Sequence, residues 1–240
     1  MIWSKSKEYE KLKYEFVTII AHKFRTPLSQ VKWLLEEITS KEQDPYIKES
    51  LSTINQSNQK LISLTNTLVE LTDSADKSLA QYNFEKINIC EITTQTVSSF
   101  KDRFHEKNLF FSIQCENPEI FVKADRTRME FVIQTLLENS INYSPPGRNV
   151  EITVSQNKPQ NASRAFISVT DHGIGINPVD APRIFSKFFR SDSARSMDTE
   201  GFGVGLFLAE SIVKRHKGKI EAFSEGPDRG ATFTITLPLS

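Results

Sequence analysis

The chain has 240 residues, room for two modest domains, and its 30 Lys+Arg balance 30 Asp+Glu to a net charge of zero. That balance gives no basic excess of the kind nucleic-acid binding requires, so no nucleic-acid partner is expected. No apolar run approaches the ~20 residues of a membrane span, and the N-terminus MIWSKSKEYEKLKYEF is charged and not signal-like. A cytoplasmic location is expected, with any sensing region or membrane anchor of a longer protein outside this sequence. Cys90 and Cys115 fall in no metal-ligand spacing, and reduced thiols are expected.

In chain order, the first third lacks glycine altogether, the first being Gly147. From Glu8 to Ile38 the apolar residues Phe16, Ile19, Ile20, Val31, Leu34, Leu35 and Ile38 recur at helical spacing. Pro27 interrupts that run and should bend the helix. Ser40–Asp44 reads as a turn, with Asp44 as N-cap ahead of Pro45. In the second helix Ile47, Ile54, Leu61 and Leu68 stand seven apart, with Leu64 and Leu71 beside them and polar Asn58 and Thr65 within the seam. Two antiparallel helices cannot bury these seams alone, and pairing with a second copy closes a four-helix bundle.

After a linker over 79–85, period-two runs alternate with helical ones. Strands are predicted at Lys86–Ile89, Leu109–Gln114, Ile120–Lys123, Val150–Ser155, Arg164–Thr170, Lys219–Ser224 and Thr232–Leu237. Helices are predicted at Cys90–Glu106, Arg126–Tyr143 and Gly205–Lys217. Several strands adjoin directly, which favours an α/β sandwich with mixed pairing. Asp192–Gly201 is small and polar and reads as a mobile loop. The class is therefore α+β: a dimeric helical hairpin over 1–78, then an α/β-sandwich domain over 86–240.

His22 has helical neighbours Glu15, Thr18, Arg25, Thr26 and Ser29, so its ring lies on a polar stripe facing water. With an ordinary pKa of about 6.5 it is mostly neutral near pH 7 and offers a free lone pair. The segment AHKFRTPLSQV resembles the H box of sensor histidine kinases. The resemblance implies that His22 is the phosphoacceptor and that Thr26 orients water for dephosphorylating a partner. Lys23 departs, since the family usually has an acidic residue there.

Four further segments follow in the family's order. RMEFVIQTLLENSINYSPPG resembles the N box, which implies Asn139 as a Mg²⁺ ligand and Tyr143 beside the nucleotide; Thr135 stands where Asn is frequent, and Asn142 where Lys is frequent near the phosphates. DHGIGI, Asp171 to Ile176, resembles the first glycine box, with Asp171 under the adenine and Gly173 and Gly175 allowing close approach. RIFSKFFR resembles the F box, with Phe185, Phe188 and Phe189 anchoring a lid and Arg190 near the terminal phosphates. GFGVGLFL resembles the second glycine box: Gly201, Gly203 and Gly205 precede Leu206 at a helix start, where free N–H groups suit phosphate. Thr232 in GATFTITLPL matches a residue near the adenine pocket. The cofactors implied are ATP and Mg²⁺, and the implied partners are a second copy and the receiver domain of a response regulator. The implied reaction is autophosphorylation on His22 and transfer to an aspartate, with phosphatase support through Thr26. The alternative is a degenerate relative that binds nucleotide and regulates as a dimeric scaffold.

Overall fold

A computed structural model describes residues 24, 26–55, 57, 58, 61, 65, 82–157, 163–198 and 201–240. The chain divides into two compact units, 1–81 and 82–240.

In the first unit, helix α1 covers 26–41 and runs through Pro27, and α2 starts at 45 and is continuous to 55. Asp44 caps α2: its Oδ1 accepts from the N–H of Tyr46 at 2.8 Å and of Ile47 at 3.3 Å. Asn58 Nδ2 donates to the Leu28 carbonyl at 2.9 Å. Residues 28 and 58 are equally far from Gln43 in the turn, which makes the pair an antiparallel hairpin. Asn58, Thr65 and Leu35 are buried. Most of the described seam is not: Leu34, Ile38, Ile54 and Leu61 are each 50% exposed or more. Phe16, Ile19, Ile20, Leu64, Leu68 and Leu71 lie outside the described residues.

The second unit is a two-layer sandwich. Its five-stranded sheet has the order β2-β4-β5-β7-β6, with β2 at Phe110–Cys115, β4 at Asn149–Asn157, β5 at Arg164–Asp171, β6 at Lys219–Phe223 and β7 at Ala231–Pro238. Only β2 and β4 pair in parallel. Strands β1 (Glu85–Asn88) and β3 (Phe121–Ala124) form a separate antiparallel ladder. Alternation decides the faces. Ile167 and Val169 of β5 and Phe233 and Ile235 of β7 point inward, onto Val132, Ile133, Leu136 and Leu137 of helix α5 (Arg126–Tyr143) and Ile212 and Val213 of α7 (Gly205–Arg215). The outward row is hydroxylated, with Ser168–Thr234 and Thr170–Thr232 each paired at 3.0 Å.

Four features differ from the sequence expectations. The helix expected over Cys90–Glu106 is two, α3 (Ile89–Ser99) and α4 (Lys101–Glu106), broken at Phe100. Phe100 and Phe104 are both buried, and the break lets α4 turn its ring inward against Phe111 of β2. The polar segment read as a loop contains a helix, α6 (Asp192–Met197), capped by Ser191 Oγ accepting from Ala194 N–H. Cys90, in the first turn of α3, and Cys115, ending β2, are joined as a disulfide with Cα atoms 6.1 Å apart, not held as separate thiols. Residues 82–84, read as linker, belong to the folded unit: the rings of Tyr82 and Phe84 sit 5.6 and 5.0 Å from that of His216.

His216 ties that entry segment to two helices. Its Nε2 accepts from the Asp125 N–H at 2.9 Å, and its Nδ1 donates to the Ile212 carbonyl at 2.8 Å. Asp125 is the N-cap of α5, accepting from Arg128 N–H at 3.0 Å and from Asn83 N–H at 2.8 Å. Only a neutral ring can accept at Nε2, and burial holds the His216 pKa below its ordinary 6.5. A folded-state pKa below the unfolded one gives stability that is complete above pH 6.5 and lost as pH falls through the folded value. Melting curves between about pH 5 and pH 7 should therefore show the chain losing more stability on acidification than His216→Gln. Equal losses would deny His216 this role.

Candidate active site

The site is assembled on α5. Its sequence limits are sharp because Asp125 caps one end and Pro145–Pro146 ends the other. Asn139 lies half-buried on its last turns, and its amide has no hydrogen bond from a described residue. A hard amide oxygen in that state fits one position of a Mg²⁺ shell completed by phosphate and water. Thr135 instead is buried, its Oγ1 donating to the Phe131 carbonyl and its methyl 3.1 Å from where a Cβ on Gly205 would lie. Thr135 thus packs α5 on the start of α7.

Asp171 ends β5 and is 6% exposed. Its Oδ1 accepts from Gly173 N–H at 2.9 Å and Ala231 N–H at 3.2 Å, and no hydrogen bond from a described residue reaches Oδ2. Burial raises the pKa of this carboxyl, against the pull of the two N–H groups and of His172. The loop that follows is held by main chain: Ile174 N–H donates to the Tyr143 carbonyl at 3.0 Å, and Ile176 N–H to Ser224 Oγ at 3.0 Å. Here the glycines have a cause in the protein's own backbone. A Cβ on Gly173 would lie 2.3 Å from the Tyr143 carbonyl oxygen, and one on Gly175, with φ of +66°, 2.0 Å from that of Gly226. Ile176 and Leu206 pack partly buried against the core nearby.

Gly201, Gly203 and Gly205 lead into α7, whose N-cap Val204 supplies no side-chain hydrogen bond and whose first turn has no acidic residue. The helix start is thus open to an anion. Arg190 is bound within the surrounding loop: its guanidinium donates to the carbonyls of Gly201 at 2.8 Å, Ala194 at 2.9 Å and Asp198, whose carboxylate is 3.6 Å away. Burial raises the pKa of Tyr143, against the pull of the Arg190 guanidinium. An open cleft of about 680 Å³ lies on one side of this loop, with Gly175, Arg183, Lys187 and Arg190 among its walls; Asp171 and Asn139 are not among them.

Two expected residues are not brought to this cluster. Thr232 lies on the outer face of the sheet, bonded to Thr170, because β7 turns Ala231 inward toward Asp171 and the next residue outward. Phe188 is 67% exposed at φ +62°, so it anchors nothing; Phe185 and Phe189 are partly covered, Phe189 by the Arg183 guanidinium 4.4 Å from its ring centroid. Thr26 is exposed on α1. His22 and Lys23 lie outside the described residues. Lys107 was not singled out from the sequence; its Nζ donates to the Asn142 carbonyl at 2.7 Å.

Two family models match the chain. The His Kinase A phospho-acceptor domain matches residues 12–76, and the histidine kinase-, DNA gyrase B- and HSP90-like ATPase domain matches 124–240. The chain belongs to the sensor histidine kinases. It is 31% identical over 237 residues to the sensor histidine kinase WalK of Bacillus subtilis, covering 96% of this chain and 38% of that protein. It is 27% identical over 234 residues to the sensor histidine kinase MtrB of Mycobacterium leprae, covering 97% of this chain and 40% of that one. The chain thus spans about two fifths of the length of these curated relatives.

Among solved structures, the mycobacterial sensor histidine kinase MprB matches with a TM-score of 0.56 and 25% identity, over 65% of this chain and 98% of that one. Full-length ShkA in complex with AMPPNP matches with a TM-score of 0.69 and 22% identity, over 94% of this chain and 46% of that one, a likeness of fold. Among the described residues of the histidine kinase chain, no helix is long and apolar enough to cross a membrane.

Proposed function

We propose that this histidine kinase chain is a catalytic core that autophosphorylates on His22 with ATP and Mg²⁺ and passes the phosphoryl group to an aspartate of a response regulator. The observation that carries the reading is Asp171, a buried carboxylate with one oxygen fixed by two backbone N–H groups and the other left for a ligand. That oxygen would accept from the adenine amine, and Asn139 would hold Mg²⁺ against the phosphates. The N–H groups at the start of α7, with Gly201, Gly203 and Gly205, would receive the phosphate chain. Gly173, Gly175 and Ile176 shape the adenine side, and Leu206, Tyr143 and Arg190 the opposite wall.

In the chemical step a lone pair of the His22 ring attacks the γ-phosphorus. A P–N bond forms, the bond to the β-phosphate oxygen breaks, ADP leaves, and the ring loses its proton. Transfer to the regulator reverses the sense: the carboxylate takes the phosphoryl group and His22 regains a proton. Thr26, exposed on α1, would orient the water that later clears the regulator. Residues 82–240 alone should bind ATP with Mg²⁺ and take up no label from γ-labelled ATP; labelling of that fragment would place the phosphoacceptor outside the hairpin.

The hairpin would act as a homodimer, since Leu34, Ile38, Ile54 and Leu61 are half-exposed or more on the single chain while Asn58 is buried. Burying large apolar side chains is worth about 1.5–3 kcal/mol each. Light scattering at micromolar concentration should give a dimer, and Ile54→Asp with Leu61→Asp a monomer. A monomeric wild type would contradict the reading.

A further inference from the structure

Cys90 and Cys115 belong to none of the nucleotide motifs. Their bond closes a loop across a sequence separation of 25, which takes in most of α3 and all of α4 and β2. This loop is one edge of the domain, since β2 ends the sheet and pairs with β4 alone. Cys90 is 8% exposed and lies in the core, and Cys115 is partly buried against it. As free thiols both still pack as small apolar side chains, so the core persists with the bond open or closed. Cys115, the more exposed of the two, offers the sulfur that a thiol from solution can reach.

The closed loop meets α5 at the turns that carry Asn139. Arg103 of α4 pairs with Glu138 at 2.9 Å, and Lys107, the C-cap of α4, donates to the Asn142 carbonyl at 2.7 Å. Just beyond α5, Gly147 N–H donates to the Asn108 carbonyl at 2.6 Å. Residues 138 and 142 flank Asn139 in the sequence. The Arg103 and Glu138 side chains are 42% and 40% exposed, so their pair contributes little by itself. The buried Phe104 ring and the covalent closure do more to keep the loop against α5. Opening a disulfide returns conformational entropy to the chain it closed, so local opening of the loop becomes easier. A chain that consumes ATP works inside the cell, where thiol pools keep cysteines reduced and a disulfide is usually transient and redox-sensing.

We propose that Cys90 and Cys115 form a reversible redox site, reduced by low-molecular-weight thiols and oxidised by their disulfides. The closed bond holds α4 against the Asn139 turns of α5, so nucleotide binds more tightly to the oxidised chain. The compartment and the effect on nucleotide rest on the reading of this chain as an ATP-dependent kinase. In reduction, a thiolate attacks the Cys115 sulfur, the bond to the Cys90 sulfur breaks, and Cys90 leaves as a thiolate. A second thiolate attacks the reductant's sulfur in the mixed disulfide and releases Cys115. Two electrons pass to the protein, each cysteine takes up one proton, and the reductant departs as its own disulfide.

The test equilibrates the intact chain in mixtures of reduced and oxidised glutathione, quenches it with an alkylating agent, and counts modified cysteines by mass spectrometry. The chain should pass from fully oxidised to fully reduced within those mixtures. Each form is then titrated with ATP in the presence of Mg²⁺ and followed by amide hydrogen exchange. Reduction should weaken ATP about tenfold, within the usual range of coupling between two sites, and speed exchange over 101–106 and 138–143. Cys90→Ser with Cys115→Ser should bind ATP as the reduced chain does and ignore glutathione. Reduction compares both forms in the wild-type chain, so the test stands even where that variant fails to fold. A bond that stays closed in every mixture is a structural staple, and thiols that never close form no redox site; either result overturns the proposal. Equal or tighter ATP binding on reduction, or unchanged exchange over 138–143, overturns the coupling to α5. A chain that binds no ATP in either form removes the nucleotide reading instead, and the glutathione titration and hydrogen exchange still decide the redox site.

Discussion

Asp171→Asn is expected to cut ATP affinity about 100-fold while the chain stays folded and melts no lower than wild type. The reason is the division of labour between its two oxygens. Oδ1 holds the Gly173 and Ala231 N–H groups, and an asparagine carbonyl can take both over. Oδ2 has no hydrogen bond from a described residue, and the substitution turns it into an NH₂ that opposes the adenine amine, donor against donor. A hydrogen bond to a charged group is worth about 1.5–3 kcal/mol, and an unpaired buried donor adds to that loss; about 2.7 kcal/mol is 100-fold. The stability side follows from sign. Burial raises the folded-state pKa of Asp171 above its ordinary value. A raised carboxyl pKa favours folding only below the unfolded value, and that gain is lost as pH rises through the folded value. At neutral pH the ionised, buried group is therefore a net cost, which Asn removes. Titration with ATP and a melting curve check both halves. Unchanged affinity would move the adenine elsewhere, and a collapse in melting temperature would make Asp171 structural.

Lys23→Glu is expected to accelerate autophosphorylation tenfold or more. In the family an acidic residue beside the phosphoacceptor can hold the proton on the far imidazole nitrogen and leave the attacking one free. A protonated lysine has no lone pair to accept with. Its positive charge would attract the γ-phosphate, so part of the deficit is offset. The missing general base outweighs that offset, being typically worth ~10²–10⁴-fold where one acts. By the helical spacing of the sequence, Glu15 would share that face but seven residues away, about 10 Å along the axis. Initial rates of wild type and variant at saturating ATP decide the matter. A variant slower than wild type would make Lys23 a working part of the site.

Much of the fold was legible in the sequence where local chemistry carries the signal. Helix α5 runs from Arg126 to Tyr143 as read, because Asp125 caps it and two prolines end it. The seven strands were found by alternation, each within about three residues of its observed ends, and the alternation reflects a sheet with one buried face and one of paired hydroxyls. The failures are non-local or too short to show a period. Cys90 and Cys115 meet only because α3 folds back along β2. Thr232 follows its motif but lies on the wrong face, since one residue along a strand changes sides. Helix α6 is six polar residues held by a Ser191 cap, with no apolar stripe to reveal it. Lys107 belongs to no motif and reaches the Asn142 carbonyl only through α4, whose break from α3 carries no glycine or proline.

Whether His22 receives the γ-phosphate of ATP is read from the stability of protein-bound label. The intact chain and His22→Gln are incubated with γ-labelled ATP and Mg²⁺, and protein-bound label is followed through acid and base. Wild type should hold label that acid removes and base spares, as a phosphoramidate does, and His22→Gln should hold none. Label retained by His22→Gln would place the phosphoacceptor elsewhere, and a wild type that binds ATP and never labels would be no autokinase.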